Sequence, residues 1–235
     1  MTEKLNEWNV DPDPETLAYH LRQVEPYRST VHFAKFARPW LATSNRIIDL
    51  GCGAGQATDY IAMKHPQAQV LGLDVSPLLI SLAKQLPPQA SFGIGDMTNL
   101  SPRKADGVIS LATLSWMPEY ETPLAQICEK IAPKWMAFST LLYWGNISAQ
   151  IVINEPSRPR RSYHNIYSVN EMAKFMQGHG YDYAAGKIFQ IDIDLPYPAN
   201  ANIMQSYTVG INEMRHIFSG PLHMPWGFVC FEKMK

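Results

Sequence analysis

The chain has 235 residues, 46% of them hydrophobic and 11% aromatic, enough to bury a full core within one globular domain. Its 20 Lys and Arg against 21 Asp and Glu leave a net charge of −1, so no global positive field draws in a nucleic-acid backbone and a nucleic-acid partner is disfavoured. Three widely separated cysteines, Cys52, Cys128 and Cys230, make neither a CxxC pair nor a disulfide framework, which fits a reducing cytoplasm.

The elements follow in chain order. Met1 to Val10 has no apolar stretch of the kind a secretory signal needs. Residues 13–42 read as an N-terminal helical cap: Leu17, Leu21 and Val24 fall at i, i+4 and i+7, then Val31, Phe33 and Phe36 follow Pro26, and Pro39 is expected to end the helix. Ile47 to Leu50 is a short buried strand closed by Gly51. A helix over Gln56 to Lys64 stops before Pro66, and Val70 to Leu73 is a second strand ending at Asp74. Ser76 as N-cap with Pro77 at the first helical position opens a helix through Leu86. Ser91 to Ile94 and Val108 to Leu111 are the third and fourth strands. Leu124 to Ile131 is helical, and Trp135 to Tyr143 is a long fifth strand. The apolar run Trp135 to Trp144 is too short to span a bilayer, so no membrane partner is expected. Strict alternation of strand and helix predicts a parallel sheet, and right-handed crossovers make it doubly wound.

Beyond Tyr143 the alternation loosens. Residues 144–166 form a connection rich in Asn, Pro and Arg. Ser168 and Glu171 make a capping box for a helix that Gly180 ends. Ile188 to Leu195 alternates apolar and polar and is expected to be the sixth strand. Residues 196–224 are an insertion before the last strand, Gly227 to Glu232.

The chemistry concentrates at Asp49-Leu50-Gly51-Cys52-Gly53-Ala54-Gly55-Gln56, where the first strand turns into the first helix. Glycine permits a sharp turn and lets backbone approach a ligand with no Cβ between them, and a helix N-terminus presents free N–H groups. Asp74 ends the second strand, where a carboxylate accepts ribose hydroxyls. Both features lie at the carboxyl ends of parallel strands, so an adenosine-containing ligand is expected. A dinucleotide fingerprint anchored on Gly51 and Gly53 requires a third Gly at position 56, which is Gln56. That residue, and the lack of a Tyr-x-x-x-Lys pair, count against a nicotinamide oxidoreductase.

The glycines instead follow Gly-x-Gly-x-Gly with an acid two residues before the first, and DLGCGAGQ resembles motif I of the class I (Rossmann-like) S-adenosylmethionine-dependent methyltransferases. The resemblance covers roughly residues 46–143. It implies S-adenosyl-L-methionine as cofactor, held by Asp49, Gly51, Cys52, Gly53, Gly55 and Gln56. In LGLDVS it implies Asp74 at the ribose and Val75 beside the adenine, and in GIGDM it implies Asp96 at the adenine amino group with Met97 alongside. DGVISLATLSW matches the fourth strand and the loop facing the methyl group, which brings in Leu111, and Arg28 is placed to reach the methionine carboxylate. The implied architecture is an α/β, doubly wound, mostly parallel seven-stranded sheet with an antiparallel last strand, N-terminal helices, and the insertion as a lid. The single domain then divides into the cap (1–42), a cofactor-binding half (46–143) and an acceptor-side half (144–235, with the insertion 196–224).

Methyl transfer needs an acceptor held in line with the methyl group and shielded from water. The segments facing that position supply Ser115, Trp116, Tyr143, Tyr163, His164 and Tyr207 as acceptor-binding candidates. His164, in Tyr163-His164-Asn165-Ile166-Tyr167, is the candidate general base. Arg158, Arg160 and Arg161 form a basic cluster that is either solvated or binds an acidic group of the acceptor. Ser110-Leu111-Ala112-Thr113 stands where base-amine methyltransferases carry Asn/Asp-Pro-Pro-Tyr. A small-molecule acceptor methylated at O or N is therefore expected. YHNIYS, IDIDLP and FSGPL resemble methyltransferases of surface-sugar biosynthesis, which implies a sugar or another biosynthetic intermediate. An RNA methyltransferase and a non-catalytic cofactor-binding or regulatory protein of the same fold remain open alternatives.

Overall fold

A computed structural model of the chain describes residue 17 and residues 26–85, 89–154, 161–199 and 204–235. The first part of the expected N-terminal cap, the tail of the helix expected to reach Leu86, and Arg158 and Arg160 lie outside these residues.

The main sheet is built from β1 (Arg46–Leu50), β2 (Gln69–Asp74), β3 (Ser91–Ile94), β4 (Gly107–Leu111), β5 (Trp135–Tyr143), β9 (Tyr181–Ile188) and β13 (Trp226–Lys233), in the order β3-β2-β1-β4-β5-β13-β9, with β8 (Tyr167–Ser168) paired to β5 as an eighth strand. Pairings from β3 through β5 are parallel, and β13 runs antiparallel to both β5 and β9. The chain thus winds outward from β1 in one direction, returns to β4 and continues the other way. The reversal leaves a crevice between the carboxyl ends of β1 and β4, where open α/β sheets bind ligands.

The sheet carries a core on each face, and the period of two in its strands sorts residues between them. Ile48, Val108, Met136, Phe138, Val229 and Phe231 face α4 (Glu121–Lys130) and α5 (Val169–Gly178) through Leu124, Ile127, Met172 and Met176. Ile47, Ile109, Ala137, Phe228 and Cys230 face α1 (Arg28–Leu41) and α2 (Gln56–Lys64) through Phe33, Ala37, Leu41 and Ile61. Burial on both faces explains why β5 reads as one continuous apolar run. The α3 helix (Pro77–Ala83) starts as expected, with Ser76 Oγ accepting the Leu79 N–H and Pro77 at the first position.

Two expectations need correction. Pro39 does not end the N-terminal helix, because α1 runs through it to Leu41. In the last turn the missing N–H costs one hydrogen bond, and the chain closes by Ala42 N–H donating to Arg38 O. The sixth strand of the sequence reading is β9, Tyr181–Ile188, and not residues 188–195. As an edge strand β9 leaves most of its side chains exposed and so lacks a clear apolar pattern. The Ile-Asp-Ile-Asp alternation belongs to an extended connection whose acids point outward to Arg28 and Arg215. The insertion carries a small sheet of its own, β10 (Ser206–Ile211), β11 (Met214–Ser219) and β12 (Leu222–His223), while β6 (Val152–Asn154) pairs with β7 (Arg161–Tyr163) beside β5's exit.

Candidate active site

The glycine loop is strapped to the second strand. Gly51 and Cys52 N–H both donate to Leu73 O, at 2.8 and 3.1 Å. Gly51, at φ +76°, sits so close to the loop after β4 that a Cβ there would lie 2.3 Å from Thr113 Oγ1. Gly55 takes φ +88° as the N-cap of α2, which Gln56 opens. A Cβ on Gly55 would meet Phe92 and Ala83 at 2.8–2.9 Å. The loop therefore requires glycine for conformation and for clearance at once.

Two acids brace it from opposite sides. Asp49 is 1% exposed beneath the loop, where Oδ2 accepts the Thr58 hydroxyl at 2.6 Å and Oδ1 is buried with no hydrogen-bond partner. Burial, less the Thr58 bond and with a small push from Asp74, raises its pKa to about 7. Asp74, half-buried at the end of β2, accepts Gly53 N–H on Oδ2 at 2.8 Å and Ser76 N–H on Oδ1 at 3.0 Å. Each oxygen keeps a second lone pair for a ligand hydroxyl. Cys52 is buried in the turn, and desolvation pushes its thiol far above the ordinary range, which removes it as a nucleophile.

At the end of β3, Asp96 Oδ1 accepts both the backbone N–H and the hydroxyl of Thr98, at 2.8 and 2.7 Å. The same carboxylate has a second oxygen for an external donor. Met97 turns its side chain into the core with Leu50 and Leu73, so its share in any ligand contact falls to its backbone. Val75 and Leu111 are half-buried at the ends of β2 and β4.

The turn after β4 is the most constrained part of the site. Ala112 is exposed with φ +56° and donates its N–H to Ser139 O at 2.8 Å. A left-handed alanine is strained backbone, of the kind retained where surrounding structure over-determines it. Ser115, expected to touch the acceptor, is fully buried. Its hydroxyl is engaged by Thr140 Oγ1 and by Leu141 N–H, so it ties the short 3-10 turn Leu114–Trp116 to β5 and is not a free donor.

Asn165 and Tyr167 do work that the sequence reading left unassigned. The Asn165 carboxamide donates to Met117 O at 2.8 Å and Pro118 O at 3.1 Å, and it accepts Ile151 N–H at 2.9 Å. Tyr167 Oη donates to Leu114 O at 3.1 Å. Together they clamp residues 114–118 against the 149–167 connection. No spacing in the sequence signals this, since the bonds to residues 114–118 join side chains to backbone about fifty residues away.

His164 is 8% exposed, packs edge-on to Trp116 with centroids 4.2 Å apart, and leaves Nδ1 buried with no partner. Desolvation lowers its pKa to about 4. The expected general base is thus a neutral, enclosed imidazole whose pKa lies well below neutral pH. Trp116 is half-buried and also meets Trp226 edge-on at 5.9 Å. Tyr143 is 48% exposed at the end of β5, and Tyr163 is half-buried on β7. Tyr207 spends its hydroxyl on Gly220 O at 3.1 Å and stacks on Phe218, which makes it a brace of the inserted sheet. Arg28 pairs with Asp192 at 3.1 Å, as Arg215 does with Asp194 at 2.6 Å. Among the described residues no group of three His, Cys, Asp or Glu is arranged to hold a metal, and no helix is long and apolar enough to cross a membrane.

Residues 47–134 match a family model described as a methyltransferase domain. Trans-aconitate 2-methyltransferase from Methylobacterium nodulans is 35% identical over 98 residues, covering 41% of this chain and 38% of the relative. The enzyme of the same name from Mycobacterium tuberculosis is 33% identical over 113 residues, covering 47% and 42%. The chain thus spans about two fifths of the length of these curated relatives. Among solved structures, one described as a putative S-adenosylmethionine-dependent methyltransferase from Listeria monocytogenes superposes with TM-score 0.57 at 16% identity, over 88% of this chain and 98% of the other. The 1,6-didemethyltoxoflavin-N1-methyltransferase of Burkholderia thailandensis superposes with TM-score 0.56 at 16% identity, over 95% and 92%. Those two likenesses establish the fold, and the matched segment carries the glycine loop and the acids at the ends of β1, β2 and β3. Residues 47–134 are thus similar to a methyltransferase domain, on a chain with the Rossmann-like fold of S-adenosylmethionine-dependent methyltransferases.

Proposed function

We propose that the chain transfers a methyl group from S-adenosylmethionine to an oxygen or nitrogen of a small-molecule acceptor. The observation that carries this reading is the junction of Asp74 with Gly53, which joins a ribose-type carboxylate to a loop whose Gly51 and Gly55 have no room for a Cβ. The residues fit the cofactor. Asp74 would accept the ribose hydroxyls, the second oxygen of Asp96 would accept the adenine amino group, and the backbone of residues 51–56 would hold the methionine part. Asp49 braces the loop from below. Arg28 would reach the methionine carboxylate only by leaving Asp192.

When bound, the sulfonium supplies an electrophilic methyl group for an in-line displacement. The chain's own contribution is positional. Ala112 to Met117 form the edge facing the methyl, Asn165 and Tyr167 fix that edge, and Trp116 with Trp226 excludes water beside it. His164 is uncharged near neutral pH and poorly matched to take a proton, so no proton transfer is assigned to it. The acceptor proton leaves to solvent or to the acceptor's own basic group.

The named relatives make trans-aconitate the first acceptor to test, followed by sugar and other biosynthetic intermediates. Thermal shifts with S-adenosylhomocysteine and NAD, then a methyl-release assay over that set, test the reading. Stabilisation by NAD alone would overturn the cofactor assignment, and cofactor binding with no methyl release to any acceptor would favour a regulatory protein.

A further inference from the structure

On the inserted sheet, His216 and His223 face one another across adjacent strands. His223 on β12 pairs with Phe218 of β11, two residues beyond His216, so the two imidazoles are diagonal neighbours on one face of the sheet. His216 Nδ1 lies 3.2 Å from His223 Nε2, with ring centroids 5.2 Å apart. His223 is exposed and His216 half-buried. The opposite face of the sheet turns Ile217 into the core and Arg215 to Asp194, so the backbone under the pair is fixed.

We propose that His216 and His223 form a two-imidazole site for a borderline divalent transition ion of the zinc, nickel or copper class, which pins β12 to β11. The separation of the two nitrogens fits. Imidazole nitrogens bind such ions at about 2.0–2.1 Å, so nitrogens 3.2 Å apart subtend about 100° at a shared ion, near the tetrahedral value. Imidazole ligands select this class over magnesium or calcium, which prefer oxygen. Without the ion, one facing nitrogen carries a proton and donates it to the other. With the ion, that proton sits on the same ring's outer nitrogen, so both facing lone pairs coordinate and the neutral pair releases no proton. Two protein ligands leave the remaining positions to water.

The test is titration of the full chain with zinc chloride and nickel chloride by calorimetry, with magnesium chloride as control. The expected result is one ion bound per chain with zinc and with nickel, none with magnesium, and at least a tenfold loss of affinity in both His216→Gln and His223→Gln. Nickel should broaden the ring signals of these two histidines before those of His65 or His179, which places the ion independently of either variant's folding. No binding, binding unchanged in both variants, or first broadening at another histidine would each overturn the site. Thermal unfolding of the metal-free variants shows whether each is folded, and a folded single variant that retains full affinity rejects the pairing.

Discussion

Asp74 Oδ2 accepts the N–H of Gly53 at 2.8 Å, so the carboxylate at the end of β2 holds the loop at the end of β1. The two halves of the nucleoside site are one hydrogen-bonded unit. Asp74→Ala removes a charge-assisted acceptor from both the loop and the ligand, each such bond contributing about 1.5–3 kcal/mol. Affinity for S-adenosylhomocysteine should fall at least about 10- to 150-fold by calorimetry, the span of one such bond. An unchanged affinity would show that Asp74 only shapes the loop.

Gly51 faces Thr113 in the same region, and the clash between them is partly separable from backbone strain. Gly51→Ala places a Cβ against Thr113 Oγ1 and Cγ2 and forces alanine to φ +76°. Thr113→Ala deletes both of those atoms. The double variant should therefore recover part of the stability lost by Gly51→Ala, leaving a deficit of at least about 1–2 kcal/mol for a left-handed alanine that still meets the Cβ of residue 113 at 2.9 Å. Urea unfolding of the four proteins measures the cycle, and strict additivity would mean that the contact is absent in solution.

The cofactor half was legible because its chemistry is local: glycines, a strand end and an acid lie within a few residues of one another. The two-faced core follows from strands that read as continuous apolar runs, whereas the antiparallel last strand is implied by the family resemblance alone. The acceptor side was not legible for the opposite reason. Asn165 and Tyr167 act on carbonyls of residues 114–118, and Ser115 disappears into β5, which no local pattern encodes. Position in the chain suggested His164 as a base, but the packing of Trp116 and the surrounding desolvation set its properties. The capping box at Ser168 was half visible. Ser168 Oγ accepts Glu171 N–H, but the return bond runs through Ser148, which accepts Ser168 N–H and donates to Glu171.

Asp49 makes stability depend on pH. Its folded pKa of about 7 lies above that of the unfolded carboxyl, near 3.8. Between those values the folded chain keeps a proton that the unfolded chain releases, so the contribution falls as pH rises and levels off above about 7. Asp49→Asn retains an acceptor for Thr58 and has no proton to lose. The variant should match the parent near about pH 4 and exceed it at about pH 8, the difference opening across the interval between. Denaturant midpoints across that range check this. A constant difference at every pH would mean that Asp49 does not titrate in the window.

The hairpin of the inserted sheet carries a correctable strain. Asn212 and Glu213 join β10 to β11 with φ +48° and +64°, the two positive values that a two-residue primed turn requires. Asparagine tolerates the left-handed region, whereas glutamate has neither a short polar side chain to compensate nor glycine's freedom. Glu213→Gly removes that cost, offset in part by glycine's greater freedom in the unfolded chain, for a net gain of about 0.5–1 kcal/mol. For a chain of this size the melting temperature should rise by about 1–4 °C. Glu213→Ala, which keeps a Cβ, should give no such rise. Equal melting temperatures for the glycine and alanine variants would show that the turn does not hold the left-handed geometry in solution.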